Sequence, residues 1–121
     1  MADKNVGMEY SIGHTRYKYL DLANMSFAGG NYVQCKAYIE NFLDTIDENK
    51  ESGKELKKEF DRIYVNRENI QRGIEKKISG MGFLEKKDYE DNAKAELEIN
   101  TIHDLKAVCW RIGMKDGLFY E

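Results

Sequence analysis

Proline is absent from all 121 residues of this chain. A soluble domain uses proline at about 5% of positions, which would give roughly six. Inside a helix a proline costs ~3 kcal/mol, whereas the loops of sandwiches and barrels use it freely. Its absence predicts long helices and argues against a turn-rich β architecture. Glycine supplies the punctuation instead. Ten glycines stand at 7, 13, 29, 30, 53, 73, 80, 82, 113 and 117, and Gly73 falls inside a predicted element.

The stretches between these marks carry helical periodicity. From about Asn31 to Glu48, Cys35, Ile39, Phe42 and Ile46 recur at spacings of four, three and four, which defines one buried stripe. Asn31 is placed to cap that helix after the Gly29-Gly30 turn. Thr15 to Ala28 reads as a helix with Tyr17, Leu20, Ala23 and Phe27 on one face. A β-hairpin over residues 8–20 competes with it. Met8, Tyr10 and Ile12 alternate, Gly13-His14 can turn, and Tyr17 and Tyr19 alternate again. The unbroken run from Leu20 to Ala28 favours the helix.

Ser52-Gly53-Lys54-Glu55 has the pattern of a capping box. Leu56, Phe60, Ile63, Ile70, Ile74 and Met81 follow in alternating four–three register, which passes through Arg67 and Lys77. Such a near-3.5 repeat is the seam of a coiled-coil or antiparallel bundle helix. This helix, about 53–79, is expected to end at Gly80-Met81-Gly82 with glycine in a left-handed cap. A second long helix, about 86–112, is expected to stop at Gly113. A break near Asn100, with Thr101 and Asp104 capping a second piece, is the alternative to one continuous rod.

The expected fold is a single all-α domain over 1–121, a four-helix up-down bundle or helical hairpins with two long antiparallel helices. An irregular arm over 1–14 and an aromatic tail over 113–121 flank it. Gly82-Phe83-Leu84-Glu85-Lys86-Lys87-Asp88-Tyr89 resembles the turn of short helical-hairpin modules such as the SHOCT domain. Gly30-Asn31-Tyr32 followed by Cys35 resembles one tetratricopeptide-type turn, without the further copies a solenoid needs. Neither resemblance implies functional residues.

Charge is segregated along the chain. The net charge is −3 overall. Residues 50–78 carry nine basic against six acidic side chains, while the segments on either side are each acidic by three. Ion pairing between the basic third helix and an acidic fourth helix explains this most simply. The overall balance is no signature of a nucleic-acid or anionic-membrane binder. A phosphate-backbone contact through Lys58, Arg62, Arg67, Arg72 and Lys76 is the alternative, although glutamates interleave with them.

No catalytic signature is present. Asp44, Asp47 and Glu48 share one helical surface, and Glu85, Asp88 and Asp91 repeat every three residues. All-α nucleotide pyrophosphatases hold Mg²⁺ on acidic pairs of this kind, so Asp44, Asp47 and Glu48 are the candidate metal ligands. Asn100-Thr101-Ile102-His103 departs from the Glu-x-x-His of ferritin-like sites at the ligand position. No cofactor is expected. Cys35 and Cys109 read as buried core thiols.

Two long rods exceed what a domain this size needs for its own core. The expected function is therefore a non-enzymatic helical interaction or assembly module, a homo-oligomer or one half of a protein complex. Trp110, Leu118, Phe119, Tyr120, Arg67 and Lys77 are its candidate interface residues. A nucleic-acid-binding accessory protein and a metal-dependent nucleotide hydrolase are the rival readings. No apolar run is long enough to span a bilayer, and Met1–Asn5 leads into no apolar segment, so a cytoplasmic protein without a membrane partner is expected. The lysine- and asparagine-rich make-up resembles that of small helical proteins of phages and mobile elements.

Overall fold

A computed structural model describes residues 11–121. Met8 and Tyr10 of the competing hairpin, and most of the expected N-terminal arm, lie outside the described residues. Four helices and no strand are present among those described: α1 (Ile12–Ala28), α2 (Tyr32–Asp44), α3 (Glu51–Ile78) and α4 (Phe83–Lys115), followed by a short 3₁₀ turn, Leu118–Tyr120. The fold is all-α. Tyr17 and Tyr19, which alternate in the hairpin reading, sit inside α1, and so do residues 12–14 of the expected arm.

Local chemistry fixes the helix ends. The Ser11 side chain accepts the His14 amide at 3.2 Å and starts α1. The α1–α2 turn uses paired backbone bonds: Asn31 N–H to Ser26 at 2.8 Å and Gly30 N–H to Phe27 at 3.0 Å. This 6→1 and 5→2 pair requires the residue between them to be left-handed, and Gly30 has φ of 78°. Asn31 then caps α2 as the sequence indicates, accepting the Gln34 amide at 3.1 Å.

Three expected end signals behave differently. The capping box does not form, because α3 already begins at Glu51 with Lys50 as an N-cap that makes no side-chain bond. Ser52 is left free to donate to the Asp116 carboxylate at 2.8 Å. The α3–α4 turn uses no left-handed glycine. Ser79 closes α3 by donating its hydroxyl to Lys76 O at 2.6 Å, and Gly82 enters α4 at φ of −68°. Gly113 does not stop α4, which continues to Lys115. The stop falls at Gly117, with φ of 66°. The helix also runs through Asn100 without a break. Thr101 donates its hydroxyl to Leu97 O at 2.7 Å inside the helix instead of capping a new one.

The helices form two hairpins. Arg16 near the start of α1 bonds Thr45 just past the end of α2, and Phe27 meets Tyr32 at the other end with ring centroids 5.3 Å apart. These two helices are thus antiparallel. Between α3 and α4, Glu55 pairs with Lys115, Glu59 with Arg111 and Arg67 with Glu98. Near the far end, the Lys77 amine lies 4.7 Å over the Tyr89 ring. The second pair is also antiparallel, and at 1.5 Å per residue it makes a rod of about 40 Å.

The core is divided. The main cluster joins Leu20 and Ala23 of α1, Cys35, Ile39 and Phe42 of α2, Leu56 and Ile63 of α3, and Ile102, Leu105, Val108, Cys109 and Ile112 of α4. A separate cluster of Ile74, Ile78 and Leu97, with Met81, Tyr89 and Ala93 against it, serves the far half of the rod. The short hairpin covers only the near half. Local stability follows the number of buried apolar groups. Backbone amides of residues 70–95 are therefore expected to exchange with solvent well before those of 102–112, in native-state hydrogen exchange read residue by residue. Equal protection across α4 would contradict the two-cluster description.

Candidate functional site

Two places in the molecule concentrate features that the helices themselves do not require. One is the docked C-terminal turn. The other is the far half of the α3–α4 rod.

The C-terminal turn is seated by a buried arginine. Arg16 is 7% exposed and lies in register with Leu20, Ala23 and Phe27 on the inner stripe of α1. Its guanidinium donates to Thr45 O at 2.9 Å, Thr45 Oγ1 at 3.2 Å and Leu118 O at 3.1 Å, and pairs with the Glu121 carboxylate. The backbone adds a bond from Gly13 N–H to Glu121 O at 3.0 Å. Leu118 enters the main core, and Phe119 packs among Trp110, Tyr17 and Phe42, at centroid distances of 5.3, 5.8 and 6.4 Å. Trp110 donates its indole N–H to Asn24 Oδ1 at 3.2 Å.

Two glycines make this seat. A β-carbon on Gly113 would stand 2.5 Å from Cζ of Phe119, and one on Gly13 would collide with the Phe119 carbonyl. Gly113 in the sequence is therefore a packing site that looks like a helix stop. Of the candidate interface residues at this end, Leu118, Phe119 and Trp110 fill and cap the core, while Tyr120 projects into solvent.

Tyr17, expected on the inner stripe of α1, is half exposed, and Arg16 takes the inward position. The signal was present in the four–three–four spacing of Arg16, Leu20, Ala23 and Phe27. A cation on an apolar stripe is buried only if acceptors await it, and the acceptors belong to distant segments.

Along the rod, the seam passes through Arg67 as expected, and Arg67 bonds Glu98 at 3.2 Å across to α4. Ile70, expected on the same seam, is instead 46% exposed, and Gln71 turns partly inward beside it. Lys77 also leaves the seam to Ile78 and lies over Tyr89. Of the cations considered for phosphate contact, Arg62 pairs with Glu59, Arg67 with Glu98 and Arg72 with Glu68. Lys58 and Lys76 are exposed without an ion pair among the described residues.

Hydrogen bonding shapes the electrostatics of the near half. The bond from Arg62 holds the Glu59 carboxyl below its ordinary range, with Arg111 assisting. The bond to Glu55 lifts the Lys115 ammonium above its ordinary range. Burial pushes both thiols up, Cys109 strongly and with Cys35 adding to it. Neither cysteine is exposed, so neither presents a thiolate for chemistry.

The acidic groups do not assemble. Asp44 and Glu48 edge an open groove of about 530 Å³ between the end of α2 and the first half of α3, floored by Leu43, Ile46, Leu56 and Phe60. Asp47 turns away and accepts the Asn49 amide at 2.9 Å. Glu85, Asp88 and Asp91 lie exposed at the opposite end of the rod. Among the described residues no group of three His, Cys, Asp or Glu side chains could hold a metal ion. His103 is exposed beside Asp104 at 3.6 Å.

The chain matches no protein-family model, no curated protein and no solved structure. The two turn resemblances seen in the sequence are thus not accompanied by a family match. No helix among the described residues is long and apolar enough to cross a membrane.

Proposed function

We propose that this chain is a non-catalytic helical assembly module that self-associates through the far half of its long hairpin. One observation carries the reading. The short hairpin shields only the near half of the α3–α4 rod, and the far half rests on three buried residues, Ile74, Ile78 and Leu97. Val65 and Ile70 remain 58% and 46% exposed on that half. Helices of this length contribute little to their own domain's core there, and their apolar flanks gain from a second copy. Arg67 and Lys77, expected at the interface, lie on this stretch.

Sedimentation equilibrium across the micromolar range tests the proposal. A dimer or larger species is expected, and replacing Val65 and Ile70 by glutamate is expected to return it to a monomer of unchanged helix content. A monomer at every concentration would overturn it. The nucleic-acid reading draws less support, because Arg62, Arg67 and Arg72 already have carboxylate partners.

A further inference from the structure

The groove between the end of α2 and the first half of α3 serves neither the core nor the flanks of the rod. Leu56, buried, lies deepest in it. Leu43, Ile46 and Phe60 are only partly buried, so each rests one side on the main core and turns another to the groove. Gly53 closes one end, because without a β-carbon it lets α3 press against the Asp47 carbonyl. From Gly53 to Tyr64 the groove follows about three turns of α3, or about 16 Å.

Its walls are acidic. Asp44 and Glu48 stand on the α2 side and Asp61 on the α3 side, all exposed. None of the three makes an ion pair among the described residues. The acids on the other side of α3 are already matched, Glu55 by Lys115 and Glu59 by Arg62 and Arg111. Lys54 and Lys58 belong to that other surface as well. Lys57 is the cation that lines the groove, one turn before Asp61. With Lys57 set against Asp61, Asp44 and Glu48 still leave the α2 wall negative by two. An apolar floor about three turns long, under a negative wall, complements one kind of partner: an amphipathic helix with cationic flanks. Apolar side chains at i, i+3 or i+4, and i+7 of such a helix span about 10 Å and fit within the floor.

We infer that this groove docks a basic amphipathic helix of another protein. The apolar side chains of that helix rest on Leu43, Ile46, Leu56 and Phe60, and its lysines or arginines meet Asp44 and Glu48. The charge of the walls selects the sign of the partner, and the floor supplies the contact area. The groove lies along the near half of the rod, whereas the self-association proposed above uses Val65 and Ile70 of the far half, so each stands without the other.

Fluorescence anisotropy tests the inference. The full chain is titrated into a labelled synthetic peptide of about four helical turns, with leucine on one stripe and lysine on both flanks. Binding is expected, and added salt is expected to weaken it. The same peptide with glutamate for lysine, or with serine for leucine, is expected to bind about tenfold more weakly or worse. Asp44→Lys/Glu48→Lys is expected to lower affinity about tenfold or more, and Lys57→Glu to raise it. Glu85→Lys/Asp91→Lys makes the same change of net charge at the opposite end of the rod and is expected to leave binding as it was. All these side chains are exposed, so circular dichroism and the thermal midpoint are expected to stay unchanged. No binding of the lysine peptide overturns the inference, as does equal binding of the lysine and glutamate peptides. Equal losses in the two lysine variants overturn it as well, because the peptide would then follow overall charge. If the peptide binds only by splitting a dimer into monomers, the groove is a contact between copies and the inference fails. The Val65 and Ile70 variant separates the two proposals, because it is expected to alter mass and spare peptide binding.

Discussion

A chain shortened to end at Asp116 is expected to lose about 5 kcal/mol of stability or more, and its thermal midpoint to fall by roughly 20 °C. The loss has three sources. Leu118 is 5% exposed, and burial of such a side chain is worth about 1.5–3 kcal/mol. Phe119 stacks against Tyr17, Phe42 and Trp110, and its removal opens a cavity over Gly113 of the kind that costs about 3 kcal/mol. Arg16 loses two of its acceptors, Leu118 O and the Glu121 carboxylate, and is left partly unpaired. A domain of this size holds a total of about 5–15 kcal/mol, so the shortened chain approaches the limit of folding. Urea unfolding followed by far-ultraviolet circular dichroism measures it. The opposite outcome, an unchanged midpoint with a smaller solution mass, would make the aromatic tail an interface and remove it from the core.

Arg16→Ala is expected to cost about 3 kcal/mol. The side chain is the shared donor of four bonds that tie α1 to the end of α2 and to the terminal turn. Truncating it strands the Thr45 and Leu118 carbonyls, and each buried unsatisfied acceptor costs about 1–3 kcal/mol. The Glu121 carboxylate is half exposed and recovers much of its solvation, so its share is small. Arg16→Lys is expected to recover only part of the loss, because one ammonium cannot reproduce the planar fork that serves Thr45 and Leu118 together. The pair of changes offers an internal check. Arg16→Ala made in the shortened chain is expected to cost clearly less than in the full chain, since the two share contacts. Additive losses in that cycle would show that Arg16 does not act through the turn.

How far the sequence can be read follows from the range of each interaction. The α2 stripe of Cys35, Ile39 and Phe42 and the Asn31 cap were legible because both depend on residues within a turn of one another. The two rods were legible for the same reason, since a seam repeats every few positions. The glycines were legible only as interruptions. Gly30 and Gly117 bend the chain, whereas Gly113 makes room for a ring. Those uses look identical in one dimension. Ser52-Gly53-Lys54-Glu55 also carried a valid local pattern, but Ser52 and Glu55 found partners at the C-terminal end of α4 instead, Asp116 just past it and Lys115 within it. The interface candidates at the C-terminus divided in the same way, with Leu118 in the core and Tyr120 in solvent. Phe83 and Leu84 could be placed at a turn from the sequence, but their exposure could not, because it depends on what the rest of the chain packs against that end of the rod.

The absence of proline and the spacing of apolar residues determined that the chain is helical and that two of its helices are long. Helix formation is settled by neighbours three and four residues apart, so sequence alone carries that information. The tertiary structure decided how much of the long rod is covered, which glycines are seats for other groups, and why a positive charge is tolerated inside. Arg16 finds its acceptors 29, 102 and 105 positions away. Contacts over such separations have no periodicity to announce them, and only the folded chain brings them together.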